Sequence, residues 1–340
     1  MFSRPPRELR IAFESARLSY SKRAVDLYNS GVNQILSTAA ARGHTIFHFR
    51  MSDLYEHEDV AYARASLLAL PDSWKGDPLD AWQYLQKIDD VTIPLTTLDI
   101  CFVRGDDIRR WDTPNLDILR KIEDQVTLIE NVETTLETCD KFELVKRCPQ
   151  VPQPVTYAAE SLSEALAAVE RLQQISNTPY FVLKDRFGYG CGAQVHRFRF
   201  DEEGLSSKVH NYLRAYHHLL LQEYCPEVEQ GDLVVTFFDG QLLGAMHRRS
   251  PKNEWKTNAS LGALETKHIL TPEQERIARQ VQQAFSTCRL ASVDMLPSGK
   301  VFEINAFPGG KGLLKTHGIA LGPLVMDRLE EEQEQKRSSA

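Results

Sequence analysis

The chain has 340 residues, 42% of them hydrophobic and 26% charged, with a formal net charge of -7 and a pI near 5.8. That is enough apolar material for two or three packed subdomains. The acidic balance, with basic residues never clustered among aromatics, argues against a nucleic-acid partner; and with no apolar run near the ~20 residues that cross a bilayer, and a start (MFSRPPRELR) unlike a secretory signal, no membrane partner is expected either.

Residues 9–13 (LRIAF) read as a short apolar strand, SGVNQILSTAAARG as a helix ending at Gly43, and HTIFHFR as a second strand, so the chain opens β-α-β. The stretch from Glu56 to Gln86 reads as polar and irregular. LTTLDICFVRGDD then brings a buried strand that delivers Arg104, Asp106 and Asp107 at its carboxyl end, where ligand sites of open parallel sheets lie. QVTLIENV reads as one more strand, followed by a helix from about Glu133 to Arg147. Pro149, Pro152 and Pro154 break regular structure and mark a domain boundary. SLSEALAAVERLQQ is an amphipathic helix with Ser161 and Glu164 as its capping box.

YFVLKDRF is an apolar strand reaching Lys184, and GYGCGAQVHRFRF a glycine-rich turn entering another strand. HLLLQEYCP and DLVVTFFDGQLLGAMHRR add a strand and a hairpin turning through Asp239-Gly240. TPEQERIARQVQQAFSTC is a helix with Thr271 as N-cap and Pro272 at its first position. ASVDMLPSGKVFEIN reads as a hairpin about Ser298 and Gly299, which sets Asp294 opposite Glu303. The charged tail 331–340 is expected to fray. The six cysteines lack metal or disulfide spacing, so they are expected to be reduced, in a cytoplasmic protein.

Like charges across a strand pair repel, so Asp294 and Glu303 are either exposed at a solvated hairpin edge or hold a cation. With Asn305 they form a hard-oxygen set of the kind that suits Mg²⁺ or Mn²⁺. Gly188, Gly190 and Gly192 could let backbone N–H groups close on a phosphate, or shape a flexible hairpin. The spacing matches neither a P-loop nor a Rossmann loop. Lys141 and Lys184 could reach phosphates or lie in solvent. Gln222, Glu223 and Asp232 could hydrogen-bond a base and a ribose, or decorate a surface turn. Arg248, Lys256 and Asn258 group donors that suit a transferring phosphoryl group.

In this order, from about Asp99 to Leu321, the pieces resemble the ATP-grasp superfamily of carboxylate-amine ligases. WKTN and EINAFPGGKGL lean towards its glutamate-adding ligases, MSDLY and PLTTLDICFVRGDD towards prokaryotic glutathione synthetase. The resemblance implies an α/β (α+β) ATP-grasp fold: an N-terminal α/β pre-ATP-grasp domain (1–130), a small mobile lid (131–225), a C-terminal antiparallel-sheet domain (226–330) and a charged tail (331–340). It implies Lys141, Lys184, Gly188, Gly190 and Gly192 around the ATP phosphates, Gln222, Glu223 and Tyr224 around adenine, and Asp232 on ribose. It also implies two Mg²⁺ or Mn²⁺ ions on Asp294, Glu303 and Asn305, with catalysis by Arg248, Lys256 and Asn258.

The implied function is ATP-dependent amide or peptide bond formation between a small carboxylic acid and an amine, most simply an amino acid, through an acyl phosphate. A small-molecule kinase and a nucleotide-binding regulatory protein are the alternatives, and a homo-oligomer stays open. The sequence departs from related ligases at Val234, where they commonly carry arginine, and places Cys191 inside the glycine loop. Lys311, Lys315 and His317 follow the metal strand and either face substrate or shape a cap.

Overall fold

The structure, a computed structural model, describes residues 8–14, 30–104, 113–187, 192, 194–252, 254–258 and 261–339. Among these, three β-sheets organise the chain. The first is built on β1 (Arg10–Glu14), β2 (Thr45–Phe49), β6 (Ile100–Val103) and β7 (Thr127–Ile129), parallel in the order β2-β1-β6-β7. Their continuous apolar runs fit strands covered on both faces. Helix α1 (Ser30–Ala41) covers one face and stops before Gly43, whose φ is +80.

The stretch expected to be irregular is mostly sheet. β3 (Leu54–His57) and β4 (Val60–Ala69) form a hairpin turning at Glu58 and Asp59, both at positive φ, and β5 (Gln86–Pro94) pairs with β4. The buried side of β4 is Ala61, Ala63 and Ala65. Alanine has low β-propensity, so the alternation carries a weak strand signal. Asp106 and Asp107 lie outside the described residues; Arg104 directly follows β6.

After α2 (Thr113–Arg120), the single helix expected over 133–147 is two helices, α3 (Val132–Cys139) and α4 (Glu143–Arg147). The break has a tertiary cause. Asp140 takes the Arg186 guanidinium on both oxygens at 2.7 and 2.6 Å and also accepts from the Phe142 N–H, while the Lys141 N–H donates to the Arg186 carbonyl at 3.1 Å.

The second sheet is antiparallel, β10 (Val195–Arg199), β9 (Tyr180–Asp185), β11 (Leu219–Glu223), β8 (Thr156–Ala159) in that order. Helices α5 (Leu162–Ile175) and α6 (Leu205–Tyr216) pack on it through Ala165, Leu172 and Val209 against Phe181, Leu183 and Leu221. The capping box of α5 forms as read, Ser161 accepting from the Glu164 N–H and Glu164 from the Ser161 N–H.

The third sheet runs β14 (Leu264–His268), β13 (Gln241–Arg249), β12 (Asp232–Phe238), β15 (Leu290–Met295), β16 (Val301–Ala306), all antiparallel. Helix α7 (Pro272–Ala284) covers one face through Ile277 and Val281. Helices α8 (Gly310–His317) and α9 (Leu321–Ser339) close the chain. Leu321, Val325, Met326 and Leu329 of α9 share one core with Val32, Ile35 and Leu36 of α1, Phe102 of β6, and Val234 and Phe238 of β12. The first and third sheets are therefore joined through this core.

The tail does not fray as expected: α9 continues to Ser339. Gln333 is buried and donates to the Asp99 carbonyl and Thr127 hydroxyl, and Arg337 pairs with Asp99 at 2.7 Å. Its charges look solvated in sequence because their partners lie some two hundred residues away.

Candidate active site

The hairpin of β15 and β16 sets the site. Its turn uses Gly299 at φ +90, and the resulting register puts Asp294 opposite Glu303 and Ser292 opposite Asn305. The acids are matched by cations rather than left to solvent. Lys141 lies 3.1 Å from Glu303, and Arg248 Nη2 donates to Asp294 at 2.9 Å. Burial pushes the Asp294 carboxyl up to about 7; Arg248 opposes that shift, while Asp232 and Glu303 add to it. Burial also works against ionised Glu303, yet Lys141 and Lys184 outweigh it and hold its carboxyl below the ordinary value.

Lys184, on β9, is buried and donates to the Gln222 side chain at 3.3 Å, and Gln222 donates in turn to Thr156 at 2.7 Å. Burial brings the Lys184 ammonium down to about 8 despite the nearby Glu303. Glu223 accepts from the Val155 N–H and lies 3.6 Å from Lys300. Tyr224 donates to Glu229 and accepts from Arg197, each at 2.6 Å.

Asp232, expected on a ribose, borders the same cleft as Lys184 and Gln222. It is fully buried, and both its oxygens accept from Arg248, opposite which it sits in the β12–β13 register. Arg248 is thus held between Asp232 and Asp294. Burial disfavours its charge, but these two carboxylates more than compensate and keep it firmly protonated. Val234, two residues on, is buried in the shared core and contributes an apolar piece of cleft wall.

Gly192 connects the second sheet to the loop after β13. Lys256 Nζ donates to its carbonyl at 3.1 Å, and a Cβ on Gly192, whose φ is +78, would stand 2.5 Å from Asn258 Oδ1. Gly188, Gly190 and Cys191 lie outside the described residues.

Lys141, Lys184, Gly192, Gln222, Glu223, Tyr224, Asp232, Arg248, Lys256, Asn258, Asp294, Glu303 and Asn305 all border one cleft of about 700 Å³. Lys311 and Lys315 border it too; His317 instead hydrogen-bonds the Ala245 carbonyl at 2.8 Å, beneath Gly244. Arg104, delivered by β6, lines the cleft as well, and residues not singled out in the sequence contribute: Trp255 and Glu265 line it too, and Asp140 fixes the turn that presents Lys141. Glu265 stands across from Arg248 in the β13–β14 register, on a strand that was not read in the sequence. Among the described residues no three His, Cys, Asp or Glu side chains converge as a metal cluster; Asn305 lies two residues after Glu303 on β16 and borders the same cleft.

The chain is similar to known proteins in sequence and in fold. The chain is 27% identical over 247 residues, 69% of its length and 80% of the relative's, to tetrahydromethanopterin:alpha-L-glutamate ligase of Methanocaldococcus jannaschii. It is 23% identical over 303 residues, 87% of its length and 89% of the relative's, to glutathione synthetase of Agrobacterium fabrum. Among solved structures it superposes on D-cycloserine synthetase DcsG with a TM-score of 0.62 at 16% identity, covering 94% of this chain and 99% of that one. D-alanyl-alanine synthetase A from Vibrio cholerae gives a TM-score of 0.63 at 13% identity, covering 96% and 98%.

Residues 21–136 match the N-terminal domain of prokaryotic glutathione synthetase, which extends the likeness well before Asp99. Residues 138–329, more than half of the chain, match the RimK-like ATP-grasp domain, and the protein belongs to that family of ATP-grasp proteins.

Proposed function

We propose that the protein is an ATP-dependent ligase that joins a small carboxylic acid to an amine, an amino acid in the simplest case, through an acyl phosphate. The observation that carries this reading is that two strand-opposed acids, two lysines and a doubly held arginine share one cleft. An amine cannot expel oxide from a carboxylate. A carboxylate oxygen therefore attacks the γ-phosphorus of ATP and ADP departs; the amine then attacks the carbonyl carbon, and phosphate leaves with that oxygen while the nitrogen loses a proton. The named relatives are glutamate ligases and a glutathione synthetase, which supports an amino acid as a substrate.

In this assignment Lys141 and Lys184 bind phosphate oxygens, and the glycine loop through Gly192 excludes water from the acyl phosphate. Gln222, Glu223 and Tyr224 border adenine. Arg248 meets the charge that develops on the transferring phosphoryl group, while Lys256 and Asn258 hold the acyl phosphate. Asp294, Glu303 and Asn305 would hold two Mg²⁺ or Mn²⁺ ions: the donors are hard oxygens, and burial of Asp294 among carboxylates favours a cation there. Such ions supply positive charge between the phosphates. Residues 1–130, 131–225 and 226–330 serve as acid-selecting, lid and catalytic units.

Screening amino acids and short peptides for ADP release, with mass spectrometry of the product, tests the assignment. Consumption of the amine with ATP is the expected result; a phosphorylated small molecule formed without amine consumption would identify a kinase instead.

A further inference from the structure

Behind the cleft wall made by Tyr224 and Trp255 lies Arg197 of β10, which does not itself border the cleft. Its guanidinium carbon sits 4.8 Å from the ring centre of Tyr180, 4.9 Å from Tyr224 and 5.4 Å from Trp255. The rings of Tyr180 and Trp255 each meet Tyr224 edge-on, at 5.8 and 5.9 Å. Arg197 also donates to the Tyr224 hydroxyl at 2.6 Å and to exposed Glu229 at 3.1 Å. A cation enclosed by three aromatic faces is an attractive arrangement whose geometry depends on all of its members.

The members come from two sheets. Tyr180 and Arg197 belong to the second sheet and Tyr224 directly follows its strand β11, whereas Trp255 lies on the loop between β13 and β14 of the third. Beyond Trp255 that loop carries Lys256 and Asn258. Glu254 accepts from both the Trp255 N–H at 2.8 Å and the Lys256 N–H at 2.9 Å, so one carboxylate oxygen fixes the backbone that joins Trp255 to Lys256. Lys256 and Asn258 then meet Gly192 from the other direction.

We infer that Arg197 is a positioning residue for the transfer step: by holding Trp255 against the second sheet it sets Lys256 and Asn258 over the cleft. This rests on the ligase reading for the role of Lys256 and Asn258, but the coupling of Arg197 to Trp255 is independent of it. A small displacement of groups aimed at a reacting centre is enough to cost on the order of 100-fold in rate.

The test uses the full chain with Trp74, Trp82 and Trp111 changed to phenylalanine, so that Trp255 alone reports. Arg197→Met keeps an apolar stem and loses the cation. It is expected to red-shift Trp255 emission and increase its quenching by acrylamide. In the presence of an acid and amine that support ADP release, it is expected to lower kcat by roughly 10- to 100-fold, a larger change than that in KM for ATP. Arg197→Lys restores part of both signals, and Glu229→Gln, on the exposed side of the cluster, leaves kcat as it was. Unchanged Trp255 emission and quenching in Arg197→Met would overturn the inference, as would a raised KM for ATP with intact kcat. If the parent protein releases no ADP with any acid and amine, the ligase reading fails by itself, and quenching still decides whether Arg197 fixes Trp255.

Discussion

Arg248 donates to Asp232 through Nε and Nη2 and to Asp294 through Nη2, so one guanidinium neutralises two buried carboxylates while bordering the cleft. Truncating it leaves both acids uncompensated, a situation that typically costs about 3–5 kcal/mol. Arg248→Ala is therefore expected to lose stability as well as activity, which confuses a kinetic test. Arg248→Lys keeps the charge but not the planar fork; it is expected to stay folded by circular dichroism and to reduce kcat by about 100-fold, the scale of a lost oxyanion donor. Loss of ATP affinity alone would make Arg248 a ground-state binder. Glu303→Ala removes one of two opposed acids, so turnover is expected to vanish with the fold retained, and full ADP release in that variant contradicts the metal assignment. At this scale the residue types were legible but not every partner: that Asp232 holds Arg248 emerges only from the β12–β13 register, which sets the two across from each other.

At the scale of elements, the β15–β16 register followed from the Pro297–Lys300 turn, because a tight turn fixes which residues face each other. The β3–β4 hairpin was hidden by alanines, and the break between α3 and α4 by a contact between Asp140 and Arg186, 46 residues apart. Gly192 joins two such elements closely. Gly192→Ala puts a Cβ against Asn258 at a positive φ, and is expected to lower kcat while leaving the denaturation midpoint nearly unchanged, since the strain is confined to the loop. For α9 the expectation is the reverse. Ending the chain after Glu330 removes the buried Gln333 hydrogen bonds, worth about 1 kcal/mol each, and is expected to lower the urea midpoint; an unchanged midpoint would mean that the last turns of α9 contribute nothing.

Across the whole molecule, Glu130 ties the first sheet to the third, accepting from the Arg289 N–H at 2.8 Å and the Leu290 N–H at 2.9 Å. Burial pushes its carboxyl up to about 7, against the help of those two N–H groups. A carboxyl raised in the folded state binds its proton more tightly there than in the unfolded chain, so its contribution to stability falls as pH rises from the ordinary carboxylate range to about 7. Glu130→Gln lacks that titration, and the stability difference between it and the parent is expected to narrow over this window in urea titrations; a constant difference would place the Glu130 carboxyl at an ordinary value. The overall α/β-then-antiparallel plan was readable from apolar runs and turn residues. The joining of the first and third sheets was not, because it depends on α1 and α9 meeting from opposite ends of the chain.

The central claim is that this cleft makes a carboxylate reactive by transferring phosphoryl to it. Amino acids and short peptides with ¹⁸O in the carboxyl group, incubated with ATP, magnesium and amine, test it directly by mass spectrometry of the released phosphate. The account predicts ¹⁸O in that phosphate, one atom for each ADP formed and each amide made. Phosphate free of label, accompanying amide formation, would contradict it.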